Sequence, residues 1–445
     1  MATETANATA NANAATAAAT TAASSGGALR GRDFRLLWTA ESISKTGSAV
    51  TTFALPLVAL QTLGASTLMM GVLNAMVWLP WLVIGLQAGA WADRRRRRPL
   101  MIGCQLASAL LISSVPLLAW FGALTMGYVL VIAFAVGCSN VIFTAAYNAF
   151  LPFLIGRKEL LGANTRLMGS EQAANIAGPG IGGLIVQLSS AVVGLLVDAF
   201  SFLVSAACLW SIRAREPSGR LDERTEAPRT TYRADIRAAM AFVARDPYLR
   251  IITASNACTN LLMGGIQALV VVFLIQGAGL SPWAVGATTI MISIGGLLGA
   301  VVASKVSTRL GSSRTLLTAP ITDCFLLLFP IAGRGVALVL ALAGTLVWAT
   351  GIVVRNVTAG AFRQAYCPPG MRGRVAMTIR FVSFGVWPLG SLLGGVLGTV
   401  VDIRTALFML AIANVLADVI LFIGPMKHRR ELPTEPGDVI EPAVT

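Results

Sequence analysis

The chain has 445 residues, of which 56% are hydrophobic and only 12% are charged, and its mean hydropathy is +0.74. These values exclude an ordinary soluble domain, because no soluble fold needs so much apolar surface, and they predict an all-α membrane protein. The formal net charge of +14 does not indicate nucleic-acid binding, since the arginines cluster between apolar runs rather than on one patch.

The amino-terminal half begins with a tail and continues into membrane-length segments. Residues 1–28 are an Ala/Thr/Asn run without a basic region or a Leu-rich core, which predicts a disordered tail rather than a signal peptide. Residues 29–212 then carry six apolar segments, at about 34–63, 66–91, 99–122, 125–154, 163–188 and 191–212. Runs of about 20 apolar residues predict transmembrane helices.

An arginine-rich stretch separates the second and third segments. Five consecutive arginines, Arg94 to Arg98, cannot lie in hydrocarbon, so this stretch is predicted to be a short loop at a membrane face. The spacing of Gly89, Asp93, Arg94 and Arg97 resembles motif A of the major facilitator superfamily, which lies between the second and third helices. The resemblance implies a conformational-switch loop; the alternative is a simple topology anchor.

The fifth segment contains a proline surrounded by glycines. Proline kinks a membrane helix, and closely spaced glycines let a neighbouring helix approach. The string from Ala174 to Gly183, with its Gly178, Pro179, Gly182 and Gly183, resembles motif C, the antiporter motif of exporters in the superfamily. A generic small-residue packing face is the alternative.

The second part of the chain begins with a polar loop and continues into six further apolar segments. Residues 213–246 form a polar central loop in which Ile236, Ala239, Met240 and Val243 predict a short amphipathic helix. Residues 247–425 hold six further segments, at about 248–275, 282–304, 314–332, 335–361, 373–400 and 403–425, before a polar tail at 426–445.

Two of the motifs recur in the second half. Ser304–Gly311 repeats the arginine-loop pattern and Gly390–Gly395 repeats the Gly-Pro string, at nearly equal offsets. This repetition predicts twelve transmembrane helices in two pseudo-symmetric six-helix bundles, the major facilitator fold.

The basic residues predict the orientation. If the amino terminus is cytoplasmic, 30 of the 34 Arg and Lys residues fall on cytoplasmic segments. The positive-inside rule then places both termini in the cytoplasm.

Four further stretches narrow the resemblance to one branch of the superfamily. They are Phe34–Trp38, Ala54–Leu57, Leu196–Leu203 and Met371–Val375. They resemble macrolide-efflux and enterobactin-exporter-like proteins, also called transmembrane secretion effectors, and this resemblance implies export driven by proton antiport. Ser48 and Thr144 stand where many relatives have an acidic residue, and the fourth helix lacks the buried arginine of other drug antiporters.

Charged residues inside the membrane are costly and usually functional. The family architecture assigns Glu41, Lys45, Glu171 and Arg355 to cavity helices, which makes them candidates for proton or substrate binding. Glu171 is the predicted proton carrier, with Glu41 second because Lys45 lies one turn away and can neutralise it. The alternative is that Arg355 pairs with Glu171 in a structural gate.

The remaining buried charges are predicted to be structural. Asp198, Asp323 and Asp418 fall on outer support helices, where local hydrogen bonding is the expected role. Four tryptophans at mid-depth either stack on a bulky substrate or pack towards lipid: Trp78, Trp81, Trp348 and Trp387.

These patterns predict a monomeric exporter in the bacterial cytoplasmic membrane. Its substrate is a hydrophobic or amphipathic small molecule such as an antibiotic, drug or siderophore-like metabolite, and its other partners are protons and the lipid bilayer. An uptake permease on the same fold is the alternative. No catalytic, cofactor or metal site is predicted, because the single histidine, His428, lies in the polar tail and the six cysteines are scattered.

Overall fold

The computed structural model describes residues 31–85, 87–88, 91, 95–156, 159–214, 240–333, 335–368 and 371–435, and these ranges contain helices but no strand. The amino-terminal half contains α1 (Arg32–Leu57, continued by a π-helical turn at Val58–Thr62), α2 (Thr67–Val83), α3 (Arg97–Trp120), α4 (Met126–Ile155), α5 (Leu160–Leu188) and α6 (Ala191–Trp210). Five of them lie within three residues of the predicted segments, whereas α2 ends at Val83 and its predicted segment continued to about residue 91.

The carboxy-terminal half repeats this order. It contains α7 (Pro247–Val272, continued by Phe273–Gly277), α8 (Pro282–Leu310), the segmented α9 (Ser312–Leu317, Ala319–Cys324 and Phe325–Ile331), α10 (Val336–Tyr366), α11 (Arg372–Gly385 and Trp387–Val400) and α12 (Ile403–Asp418, continued by Val419–Phe422). The predicted all-α membrane fold is therefore confirmed.

Ten of these helices are long and apolar enough to cross a membrane. The other two are α2, whose described helix has 17 residues, and α5, whose 29 residues include Arg166 and Glu171. Both contact several other helices, and the hydropathy of α5 is lowered by polar and small residues, some of which lie at those contacts.

Successive helices run in opposite directions, so the loops gather at two ends. We call the "basic end" the one where α1, α3, α5, α7, α9 and α11 begin, because it carries nearly all the described arginines and lysines. At the opposite end several helices begin with polar caps; Asp402, for example, accepts hydrogen bonds from the backbone N–H groups of Arg404 and Thr405. Caps of this kind satisfy backbone groups near the membrane surface.

The two halves meet along two seams. In one seam α2 packs against α11, and in the other α5 packs against α8. Glycines allow the close approach: a Cβ added to Gly71 of α2 would lie 2.6 Å from the carbonyl oxygen of Ser391, and one added to Gly286 of α8 would lie 2.6 Å from that of Pro179. Both contacts lie away from the basic end, so the halves are held together in the opposite part of the molecule.

Only the last residues of the predicted amphipathic helix are described. Residues 240–245 are helical, and Val243 is buried in a hydrophobic cluster at the basic end of the carboxy-terminal half. The other residues of the central loop, from 215 to 239, lie outside the described residues.

Candidate functional site

A cavity of about 630 Å³ lies inside the carboxy-terminal half, between α7, α10, α11 and α12. Its lining begins at mid-membrane with Gln267, Trp348 and Trp387 and continues to Arg363 and Arg380 near the basic end. Because the seams hold the halves together at the opposite end, the arrangement can admit a small molecule from the basic end.

Three charged residues form an ion cluster at the wall of this cavity. The guanidinium of Arg355 on α10 donates from Nη2 to Asp323 Oδ1 of α9 at 3.0 Å, and from Nη1 to Asp418 Oδ2 of α12. The side chains of Arg355, Asp323 and Asp418 are 11%, 0% and 2% exposed. Removing one partner of such a buried pair typically costs about 3–5 kcal/mol, because the other charge loses its compensation.

Neighbouring polar groups occupy the remaining carboxylate oxygens of the cluster. Asp418 Oδ1 accepts from the hydroxyls of Ser255 at 2.8 Å and Thr259 at 3.3 Å, both on α7. Asp323 Oδ2 accepts from Asn414 Nδ2 at 2.5 Å. Every carboxylate oxygen therefore has a donor, and the cluster connects α7, α9, α10 and α12.

The structure corrects two expectations about these residues. The suggestion that Arg355 pairs with Glu171 is wrong in this structure, because its guanidinium is occupied by Asp323 and Asp418. The expectation of merely local hydrogen bonding is also wrong for Asp323 and Asp418, since the arginine side chain reaches from the cavity helix to both support helices. In the sequence, each of these two aspartates is an isolated charge in an apolar segment. This isolation is the feature that could have indicated a charged partner on another helix.

Asp198 makes a local hydrogen bond, as the sequence predicts. Its Oδ1 accepts a hydrogen bond from Ser201 Oγ, one turn later on α6, at 3.0 Å. Gly47 of α1 makes room for this pair, because a Cβ there would lie 2.0 Å from Ser201 Oγ. The pair is buried where α1 packs against α6, which is a structural position.

The amino-terminal half contains a second charged cluster. Lys45 Nζ lies 3.4 Å from Glu171 Oε1 on α5 and 3.9 Å from Glu41 Oε1 on α1. The side chains of Lys45 and Glu171 are 35% and 46% exposed, whereas that of Glu41 is 12% exposed. The structure thus brings together three of the predicted site residues, and the partner of Glu171 is Lys45.

A smaller cavity of about 380 Å³ adjoins this second cluster between α1 and α5. Its walls are apolar or polar without charge, and they include Trp38, Ser42, Thr46 and Ser170. The indole N–H of Trp38 donates to Ser170 Oγ at 2.7 Å and so joins the two helices. Both cavities lie in the basic-end part of their respective half.

Aromatic side chains close the inner end of the larger cavity. Trp78 of α2 stacks against Phe384 at 5.9 Å and contacts Trp387 at 5.0 Å between ring centroids. The indole of Trp387 also donates to Asn74 Oδ1 at 3.2 Å. These contacts join the halves, and two of the mid-depth tryptophans, Trp348 and Trp387, line the cavity rather than facing lipid.

The Gly-Pro string on α5 lies between helices of both halves. A Cβ added to Gly178 would lie 2.3 Å from Ala49 Cβ of α1, and Pro179 touches Gly286 of α8. Gly182 faces α1 and Gly183 is buried. The string therefore forms a close-packed junction, and its role as an antiporter motif stays a prediction.

Most of the predicted switch loop lies outside the described residues, including Gly89, Asp93 and Arg94. Arg97 is described: its Nη1 donates to the carbonyl oxygen of Ala149 on α4 at 3.2 Å. Arg98 donates from Nε to the carbonyl oxygen of Leu209 on α6 at 2.9 Å. These bonds fix the start of α3 against the basic ends of its neighbours.

The carboxy-terminal strap, Pro425–Leu432, docks on the corresponding loop between α8 and α9. Glu431 Oε2 accepts from the backbone N–H and hydroxyl of Ser312 at 3.0 and 2.7 Å, and these bonds lower the pKa of Glu431. Gly311 has φ +93°, and a Cβ there would lie 2.3 Å from the carbonyl oxygen of Arg430. Only glycine suits both this backbone conformation and this contact.

Comparison with known sequences identifies related proteins. The sequence profile of the transmembrane secretion effector family matches residues 23–444. The multidrug efflux pump Tap of Mycolicibacterium fortuitum is 28% identical over 411 residues, which cover 90% of this chain and 98% of Tap. Macrolide efflux protein A of Streptococcus pyogenes is 21% identical over 180 residues, or 40% of this chain and 44% of that protein.

Solved structures share the fold. The nucleoside transporter NupG superimposes with a TM-score of 0.71 at 12% identity, covering 89% of this chain and 99% of NupG. A bacterial homologue of the iron transporter ferroportin, in an inward-facing state, also gives a TM-score of 0.71, at 16% identity, covering 88% of this chain and 98% of the homologue. At these identities the likeness concerns the fold alone.

Proposed function

The chain belongs to the transmembrane secretion effector family of major facilitator transporters, and we propose that it exports a hydrophobic or amphipathic small molecule by alternating access with proton antiport. It is a membrane transporter, and its family and fold are not those of enzymes. The class of substrate, the direction of transport and the coupling to protons are the parts that we propose.

The one-sided cavity carries this proposal. A space of about 630 Å³ is large enough for a drug-sized molecule, and its lining combines aromatic rings, amides and charges. The seams formed by α2 with α11 and by α5 with α8 separate the cavity from the opposite end. Rocking of one half against the other about the cavity would expose it to the other side of the membrane.

Two observations support export as the direction of transport. The relatives with matching sequences are named as a multidrug pump and a macrolide efflux protein. The positive-inside rule makes the basic end cytoplasmic, so that the cavity loads from inside the cell.

Proton antiport requires a carboxyl group that exchanges protons during the cycle. The predicted carrier, Glu171, is partly exposed on a cavity helix at the boundary between the halves, and its ion pair with Lys45 joins α5 to α1. Protonation of Glu171 would break that pair and loosen the contact between these helices. We therefore keep Glu171, with Glu41 second, as the carrier within this proposal.

The test measures accumulation of a panel of labelled antibiotics and dyes in cells with and without the gene. We expect lower accumulation of at least one amphipathic compound, and we expect a protonophore to abolish the difference. Arg363→Gln, which alters the cavity lining, should change the range of exported compounds, whereas Arg314→Gln, an exposed residue outside the cavity lining, should not. Higher accumulation in expressing cells would indicate uptake and contradict the proposal.

A further inference from the structure

The larger cavity carries more positive charge than its own carboxylates compensate. Among the described residues that line it, Arg355, Arg363 and Arg380 are cations and Asp418 is the acid. We propose that the cavity binds an amphipathic substrate through an anionic group, such as a carboxylate, phosphate or sulfonate, which Arg363 and Arg380 hold near the basic end. This inference rests on the proposed transport function and names the substrate class of the same cavity.

The deepest of the three arginines is already compensated. Arg355 is paired with Asp323 and Asp418, and each carboxylate oxygen of that cluster has a donor. Arg363 lies eight residues later on α10, which is about 12 Å along the helix axis. The cluster is therefore too far away to pair with Arg363, and its net charge of −1 offsets only part of the charge of +2 on the two outer arginines.

The two outer arginines have no counter-charge of their own. Within the part of the chain that the structure describes, neither Arg363 nor Arg380 forms an ion pair, and neither guanidinium donates a hydrogen bond. A guanidinium has five N–H donors and no acceptor, and its planar fork matches the two oxygens of a carboxylate or phosphate. The cavity thus offers cationic donors that an anionic ligand would satisfy.

Apolar side chains adjoin Arg380 on the same face of α11. Met377, Arg380, Phe384 and Trp387 follow one another at intervals of three or four residues, and all four line the cavity. Met377 is 56% exposed and Phe384 is 36% exposed, so both are open to a ligand. Trp387 lies seven residues beyond Arg380, about 10 Å deeper. This face matches a molecule whose anionic head binds Arg380 and whose apolar body extends along Phe384 to Trp387.

The position of the two arginines gives the anionic group a role in transport. Arg363 is one turn before the end of α10, and Arg380 is in the first part of α11, so both are close to the basic end. Water hydrates them while the cavity is open there. Closure of that end removes this water, and two like charges without a counter-ion oppose such a step. A bound anion offsets their charge, so the loaded transporter closes more readily than the empty one.

The test compares two fluorescent probes of the same shape, diethylaminocoumarin carboxylate and its uncharged carboxamide. Their binding to the purified full-length protein in phosphatidylcholine nanodiscs is measured by fluorescence polarisation, and empty nanodiscs correct for partition into lipid. We expect the wild type to bind the carboxylate about tenfold or more tightly than the carboxamide, because only the carboxylate forms charged hydrogen bonds with the arginines. Wild-type protein that binds both probes equally, or neither, would overturn the proposal.

Single variants assign the preference to the two arginines. Arg363→Gln and Arg380→Gln should each weaken carboxylate binding by about tenfold and leave carboxamide binding unchanged. Arg363→Lys keeps the charge without the fork and should recover part of the loss. Arg314→Gln, the same change at an exposed position outside the cavity lining, is the matched control and should bind both probes as the wild type does. Carboxylate binding that survives both glutamine variants would contradict the assignment.

An anionic lipid headgroup has the same chemistry as an anionic substrate, and nanodiscs that contain phosphatidylglycerol distinguish the two. We expect the preference for the carboxylate probe to persist in them. Its complete loss there would assign the arginines to a lipid headgroup and contradict the proposal.

Binding and transport fail independently in these experiments. The polarisation measurement needs neither a proton gradient nor a direction of transport, so the carboxylate preference can hold even if export is not observed. Conversely, export of only uncharged and cationic compounds from the panel would keep the proposed function and contradict the anionic substrate class.

Discussion

At the scale of single residues, each half contains a cluster of one cation and two carboxylates, and the two clusters differ in burial. Lys45 lies between Glu41 and Glu171 with partial exposure, whereas Arg355 lies between two buried aspartates. The difference follows from the cations: a guanidinium presents a rigid fork that holds two carboxylates at once, while an ammonium is a compact, strongly hydrated charge. The amino-terminal cluster is therefore the one that rearranges more easily.

The first prediction concerns Glu171. Glu171→Gln removes its ion pair with Lys45, and a true carrier variant should still bind and exchange substrate but lose its response to an imposed pH gradient. Glu41→Gln, on the same cation at a longer distance, is the matched comparison. Gradient-driven export is measured in vesicles for both variants. Full export by Glu171→Gln would show that Glu171 is not the proton carrier and would leave Glu41 as the candidate.

At the scale of helices, glycines set the distances between the elements that must move. A Cβ added to Gly390 of α11 would lie 1.7 Å from the carbonyl oxygen of Leu261 on α7, and one added to Gly394 would lie 2.3 Å from that of Gly265. These contacts are between backbones, so no side chain can move aside to relieve them. The second half of α11 is thereby held against α7 at the opposite end, beside the seam with α2.

A second prediction follows from this packing. Gly390→Ala should lower the free energy of unfolding by about 1–3 kcal/mol, because overpacking forces the backbones of α7 and α11 apart. Gly103→Ala on α3 is the control, since a Cβ there meets nothing within 4 Å and alanine favours a helix. Thermal unfolding in detergent gives the comparison, and equal melting temperatures for the two variants would show that the close contact is unimportant.

At the scale of the whole molecule, the two halves pack closely at one end, and the two cavities described above lie towards the other. The sequence predicts that the end with the cavities faces the cytoplasm. Cys367 is a native cysteine near the basic end, but the residue is only 2% exposed, so a thiol reagent would miss it because of burial whichever way the chain is oriented. Engineered cysteines at exposed positions give a better test.

The third prediction is the labelling pattern of two such variants. In a background without the native cysteines, His428→Cys at the basic end should be protected from a membrane-impermeant thiol reagent in intact cells and labelled in inside-out vesicles. Ala123→Cys, exposed in the loop between α3 and α4 at the opposite end, should show the reverse pattern. Labelling of His428→Cys in intact cells would show that the topology is the reverse of the predicted one.

The sequence by itself determined the helices, their approximate bounds and the family. Apolar runs of membrane length, interrupted by the arginine loop and the Gly-Pro string, are local signals, because a helix in lipid must satisfy its own backbone hydrogen bonds. For this reason even α5, with its polar residues, was predicted within three residues of its observed start at Leu160. The assignment of Arg355 to a cavity helix came from the family resemblance, whereas for Trp348 and Trp387 the sequence left substrate stacking and lipid-facing packing open, and the structure places both in the cavity lining.

Only the tertiary structure decided which charges meet. Asp323, Arg355 and Asp418 are separated by 32 and 63 residues along the chain and come together because α9, α10 and α12 pack side by side. Glu171 meets Lys45 rather than Arg355 for the same reason: α5 packs against α1 within its own half. An ion pair in a membrane protein depends on helix neighbours and on the reach of each side chain, and neither is contained in the spacing of residues along one helix.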